Sequence, residues 1–241
     1  MRSQLIILGC GSSVGVPRLD GYWGNCKKNN SKNLRTRCSA IIKKGSNSIL
    51  IDTSPDLRSQ LLVNKIKNVS SVIFTHEHAD QTNGLFELRP FFWKFKKRID
   101  VYGNSKTIKI LKKTQNYLFK KTSNYPPIVK GNIIKSSFSL GKSREKVYFN
   151  TLSVKHGMTK SLVYIFEKTA YISDSNDLSI IKMNKLKNLK YLIIDCLKYK
   201  KHPTHFNLSD VLYIHQHLKP KKTILTNLHH DLDFDHLSSI L

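Results

Sequence analysis

The sequence has no apolar run near the ~18 residues that a membrane-spanning helix needs. Its N-terminal apolar stretch, Leu5-Ile-Ile-Leu8, is too short for a signal-peptide core. These absences argue against a membrane-spanning helix and lead us to expect a cytoplasmic protein. There is no Cys-x-x-Cys pair either. The four cysteines, Cys10, Cys26, Cys38 and Cys196, are widely spaced, which argues against a disulfide framework and a ribbon-type zinc site and for free thiols. No Gly-, Pro- and Ser-rich linker divides the 241 residues, so a single domain spanning 1–241 with a sizeable core is expected.

Acidic residues are also scarce: 16 Asp and Glu stand against 41 Lys and Arg, a formal net charge of +25. Such an excess lowers the cost of bringing phosphates close and admits RNA as a partner. It equally fits a compositional drift, because the lysines are scattered and travel with Asn and Ile. The denser groups are Lys94-Phe-Lys-Lys-Arg98, Lys112-Lys113, Lys120-Lys121, Lys198-Tyr-Lys-Lys201 and Lys219-Pro-Lys-Lys222. The aromatics among them, Phe91, Phe92, Trp93, Phe95 and Tyr199, suit helical core positions at least as well as a nucleic-acid face.

Apolar, β-branched runs predict strands at 4–8, 39–43, 48–52, 71–74, 99–102, 147–154, 162–166, 170–172, 191–195 and 223–226. Helical patterns fall at 56–62, 106–119, 178–183 and 208–218. The last has Asn207 or Ser209 to cap it and an apolar stripe of Val211, Leu212, Ile214 and Leu218. Strand pairs followed by helices in each half predict an α/β fold with two packed sheets and helices outside, a four-layer αββα sandwich.

The chemistry is densest in Ile73-Phe-Thr-His-Glu-His-Ala-Asp-Gln-Thr-Asn-Gly84, directly after a short apolar run. In an extended or tightly turned segment, residues at i, i+2 and i+4 face one side, so His76, His78 and Asp80 present two imidazoles and a carboxylate together. That donor set suits Zn²⁺ and similar ions. Glu77 points the other way and is not read as catalytic. More candidates lie past other strands: His156 before Gly157, Asp174 after Ala170-Tyr-Ile-Ser173, His205 in a loop entering a helix, and His229 and His230 after Ile224-Leu-Thr-Asn-Leu228. Singly each is an ordinary loop residue, but together they place coordinating groups after four separate strands. Asp52, ending another strand, is a candidate to accept a hydrogen bond from a ligand imidazole. Gly9, Gly11 and Gly15 lack the spacing of a dinucleotide fingerprint.

With these residues in place, the chain resembles the metallo-β-lactamase-fold hydrolases. Within them it resembles the phosphodiesterase branch typified by phosphoribosyl cyclic phosphate phosphodiesterase, with the tRNA 3′-processing nucleases as cousins. The resemblance covers nearly the whole chain, from Leu8-Gly-Cys-Gly-Ser-Ser-Val-Gly-Val-Pro17 through Leu50-Ile-Asp-Thr53 to Leu192-Ile-Ile-Asp195 and Leu225-Thr-Asn-Leu-His-His-Asp231. It implies a metal-dependent phosphodiesterase of the αββα sandwich type, with one or two divalent ions, Zn²⁺ or Mn²⁺.

By that resemblance, His76, His78, His156 and bridging Asp174 form a first metal site. Asp80, Asp174 and positions 81 and 227 form a second, where the family's histidines are replaced by Gln81 and Asn227. Amide oxygens are harder and weaker donors than imidazole nitrogen, so this second site is expected to be weak or altered, with His229 as a further nitrogen within reach. Asp80 would orient or deprotonate the attacking water and His205 would protonate the leaving group. A structural zinc site held in some members by clustered cysteines is expected to be absent, because only Cys26 and His230 remain of it. The expected substrate is a small phosphodiester, cyclic or nucleotide-like; a homodimer is compatible with the sequence, and no membrane partner is. The rival readings are an RNA 3′-end endonuclease of the same fold and a degenerate, non-catalytic nucleotide-binding or nucleic-acid-binding member.

Overall fold

The computed structural model describes residues 2–241, with twelve strands in two sheets. The strands are β1 Gln4–Gly9, β2 Ser39–Lys44, β3 Asn47–Ile51, β4 Ser71–Ile73, β5 Ile99–Gly103, β6 Val129–Ile133, β7 Ser137–Leu140, β8 Val147–His156, β9 Thr159–Phe166, β10 Thr169–Ile172, β11 Tyr191–Asp195 and β12 Lys222–Thr226. The α-helices are α1 Leu57–Val63, α2 Ala79–Thr82, α3 Arg89–Phe95, α4 Ser105–Thr114, α5 Asn116–Phe119, α6 Leu208–Leu218 and α7 Phe234–Ser239. One sheet has the order β1-β2-β3-β4-β5-β6 and the other β12-β11-β10-β9-β8-β7. In the first, β2 and β3 are antiparallel and β3 to β6 run parallel; in the second, β10, β11 and β12 are parallel while β9 pairs antiparallel with β10.

The chain divides into two compact units, one of residues 1–8 and 39–151, the other of 9–38 and 152–241. Each has its own core. In the first, Ile41, Leu50, Val72, Phe74 and Val101 pack with Leu57, Leu61, Ile108 and Leu111 from helices. In the second, Val163, Ile172, Leu192 and Ile194 pack with Val211, Ile214 and Leu218 of α6. The parallel strands β3, β4, β10 and β11 carry near-continuous apolar runs because both their faces are covered.

All ten expected strands form, and α6 spans the predicted residues. Asn207 caps it in a reciprocal box with Asp210. The helix expected at 106–119 breaks at Gln115, whose side chain instead donates to the Thr82 carbonyl (3.2 Å). The helix expected at 178–183 is a 3₁₀ turn, Leu178–Lys182. Strand β6 escaped sequence reading because Gly131 weakens its pattern; a Cβ there would press at 3.2 Å on Ile108, Lys112 and Phe119. In α3, Phe91 and Phe92 pack on the core as a helical reading of the aromatics requires, whereas Trp93 and Phe95 are exposed.

Candidate metal centre

In the first unit the site begins where β4 ends. His76 is fully buried, and its Nδ1 lies 3.0 Å from the Thr75 hydroxyl. That hydroxyl is 2.9 Å from Asp52 Oδ2, and Asp52 Oδ1 accepts from the Thr75 amide at 2.8 Å. A relay from imidazole through Thr75 to a buried carboxylate fixes the ring. Asp52 thus acts through Thr75, and it does so from a left-handed backbone (φ 59°). His76 Nε2 lies 3.0 Å from His78 Nδ1, with the two rings edge to face.

His78 occupies the N-cap position of α2, a single turn carrying Asp80 and Gln81. Gln81 Nε2 donates to Asp80 Oδ2 at 3.1 Å. The turn is pinned by Thr53, whose amide donates to the Gln81 carbonyl (2.7 Å) and whose carbonyl accepts from Gly84 N (2.9 Å). Gly84 is required there, since a Cβ would overlap the Ser54 carbonyl oxygen. Glu77 turns toward α4, paired with Lys106 at 2.5 Å.

The second unit gathers His156, Asp174 and His205, with one ligand atom of each within 4.8 Å of the others. His156, ending β8, is buried, and its Nδ1 donates to the Thr204 carbonyl at 2.8 Å, which fixes the ring. His205 Nδ1 lies 2.8 Å from Asp195 Oδ2 and 3.8 Å from Asp174 Oδ1. Asp195 ends β11 and is completely buried; burial pushes its carboxyl up to about 7, against the pull of His205. Asn227 sits one residue past β12 in a left-handed conformation (φ 61°), which Asn tolerates. Its amide nitrogen donates to Asp174 Oδ1 (3.2 Å) and Asp195 Oδ1 (3.1 Å). Thus at both positions where the resembling family has a histidine, the amide nitrogen faces a carboxylate of the same unit.

His229 is not brought into this cluster but lies against His230, ring centroids 3.6 Å apart and tilted by 36°, beside Asp231. Cys26 lies against the Leu232 carbonyl (3.5 Å) and Arg35 (3.9 Å). Asp195, Thr75 and Thr204 are contributors that the sequence reading passed over. An aspartate closing an apolar strand was the one available signal.

The donor set suits a divalent ion: imidazoles whose second nitrogen is already fixed, and carboxylates held by amide donors. Imidazole and carboxylate clusters beside the ends of strands, in an α/β architecture of two mixed sheets, match the donor arrangement of a divalent-metal site. The chain matches the beta-lactamase superfamily domain over residues 47–229 and belongs to that family, as a metallo-β-lactamase-fold hydrolase of PhnP-like type. A solved structure described as a new diphosphatase from the PhnP family shares 31% identity with it. That match covers 100% of this chain and 92% of the other, with a TM-score of 0.89. The short form of human tRNase Z has a similar fold (TM-score 0.68) at 14% identity, covering 95% of this chain and 93% of that one. An octanoyltransferase of Porphyromonas gingivalis strain W83 is 30% identical over 231 residues, 94% of this chain. The match takes in 46% of that relative, so the chain spans under half its length. Among the described residues no helix is long and apolar enough to cross a membrane.

Proposed function

We propose that the protein is a metal-dependent phosphodiesterase acting on a small phosphodiester, either a cyclic phosphate or a nucleotide-like molecule. The observation that carries this reading is the placement of His205, backed by buried Asp195 at 2.8 Å, within the same cluster as His156 and Asp174. A proton donor beside a metal-type donor set is what expulsion of a ribose-type oxygen requires. The similarity to a diphosphatase supports phosphorus as the centre attacked.

His76, His78, Asp80, His156 and Asp174 are the proposed metal ligands, with Gln81 and Asn227 as weaker candidates. A bound Zn²⁺ or Mn²⁺ would polarise water and offset negative charge on the phosphate oxygens. Asp80 orients the attacking water and accepts its proton. His205, its Nδ1 facing Asp195, donates from Nε2 to the departing oxygen. Asp195 fixes the ring and stabilises its charged form, while Asn227 holds Asp174 and Asp195 in register. Asp52 and Thr75 orient His76.

A second reading, an RNA 3′-end endonuclease, draws on the +25 charge and on α3, where exposed Trp93 and Phe95 stand among Lys94, Lys96, Lys97 and Arg98. Basic side chains interleaved with aromatics suit a single strand. Comparing turnover of bis(p-nitrophenyl) phosphate with cleavage of a tRNA precursor, both with added Zn²⁺ or Mn²⁺, tests the choice. The small-substrate reading expects turnover of the former and an intact precursor. Cleavage of the precursor alone overturns it, and neither activity in metal-loaded protein would leave a binding module.

A further inference from the structure

Four residues, His202-Pro-Thr-His205, organise every imidazole of the second unit's cluster. The Thr204 carbonyl accepts from His156 Nδ1 (2.8 Å). The Pro203 carbonyl accepts from Asn176 Nδ2 (2.7 Å), and His205 Nδ1 lies 2.8 Å from Asp195. The segment is also pressed against Gly157, where a Cβ would meet the Thr204 methyl at 2.5 Å, so it cannot drift from His156. The remaining side chain, His202, has no part in the metal or acid roles assigned above.

His202 is nonetheless oriented. The Thr204 amide points at its Nδ1 (3.4 Å) and the Thr204 hydroxyl lies 3.2 Å away. An N–H aimed at Nδ1 makes that nitrogen the acceptor, which puts the ring proton on Nε2, the far side from Thr204. The ring is half-buried and its centroid is 5.2 Å from that of His205, itself 4.7 Å from His156. Burial, together with the positive charge that His205 and Lys198 can carry nearby, lowers its pKa.

We infer that His202 is a further substrate-binding residue, whose Nε2–H donates to a non-bridging oxygen of the phosphate group processed beside His205. The inference rests on the phosphoester reading above and adds a residue that recognises the phosphate without exchanging a proton. The fixed tautomer leaves an N–H donor on a ring whose centroid is 5.2 Å from that of the proposed acid.

Inorganic phosphate binding to metal-loaded protein, followed by titration calorimetry, tests the role without turnover. His202→Asn keeps an amide oxygen where Nδ1 accepts from Thr204 and removes the donor at Nε2, whereas His202→Gln restores an N–H near that point. The expected result is that His202→Asn weakens phosphate binding about tenfold, the worth of one hydrogen bond. His202→Gln should stay within about threefold of the wild type, with metal content and thermal midpoint unchanged in both. Binding as tight as the wild type in His202→Asn, or equal losses in both variants, overturns the inference. If the wild-type protein binds phosphate but turns over no phosphodiester, the functional reading fails while this result still decides the role of His202.

Discussion

His205 Nδ1 lies 2.8 Å from Asp195 Oδ2, and the carboxylate that holds it is entirely buried. Asp195 has little else to do at the end of β11 than accept from His205, Asn227 and the Ser175 amide. The pair is thus built to keep one imidazole aligned and to support its positive charge. Removing the acid matters most when the leaving group is a poor one. His205→Ala should retain its metal and lose about 10²–10⁴ in kcat with an alkoxide leaving group, but much less with p-nitrophenolate, which leaves unaided. Equal losses with both leaving groups would contradict an acid role.

Asp195→Ala should reproduce part of that defect without changing metal content, because it acts through His205. A decrease of about 10²-fold or more in kcat on the alkoxide substrate is expected, by analogy with carboxylates that orient a catalytic imidazole. Steady-state kinetics of both single variants and the double variant check it. Losses that simply multiply in the double variant would mean that the two residues act independently.

Gly84 is tied by packing to the turn that carries Asp80 and Gln81. The overlap of a Cβ with the Ser54 carbonyl would push the α2 turn away from Thr53 and displace Asp80 and Gln81. Gly84→Ala should destabilise the protein by about 1–3 kcal/mol, the usual range for forced overpacking, and lower its metal content. Chemical denaturation with parallel metal analysis reads both effects, and a wild-type midpoint would refute the packing.

Asp233 offers a test of acid stability. It caps α7 and accepts from the Lys27 amide (3.0 Å), Asn33 Nδ2 (2.7 Å) and the amides of Asp235 and His236 (both 3.1 Å). These donors hold its carboxyl down at about 2. A carboxylate depressed in the folded state adds stability that is fully present above its unfolded pKa, ~3.9, and is lost as pH falls through about 2. Asp233→Asn should therefore be less stable than wild type by about 1 kcal/mol at pH 7, the difference between hydrogen bonds to a charged and to a neutral acceptor. The gap should narrow between roughly pH 4 and pH 2. A gap that stays constant down to pH 2 would rule out the charge as its source.

Much of the fold was legible because the strands announce themselves: Tyr191–Asp195 and Ser71–Ile73 are apolar runs that read as buried from sequence alone. Strand β6 did not, since Lys130, Gly131 and Asn132 mask its pairing with β5. At the site, the histidines were legible through their spacing, but their partners were not. The Thr75 hydroxyl between His76 and Asp52 joins residues 24 apart, and the Asn227 amide reaches Asp174 across 53 positions. Such pairings are set by sheet register and by two left-handed residues, Asp52 and Asn227, which no local pattern specifies.

The most direct measurement is metal content by mass spectrometry alongside turnover of bis(p-nitrophenyl) phosphate, in the wild type, His76→Ala and Asp174→Ala. At least one divalent ion per wild-type chain is expected, with turnover abolished by a chelator and restored by Zn²⁺ or Mn²⁺; both variants should lose ion and turnover together. Turnover that survives chelation, or variants that keep both ion and rate, would contradict a metal-dependent hydrolase built on these residues.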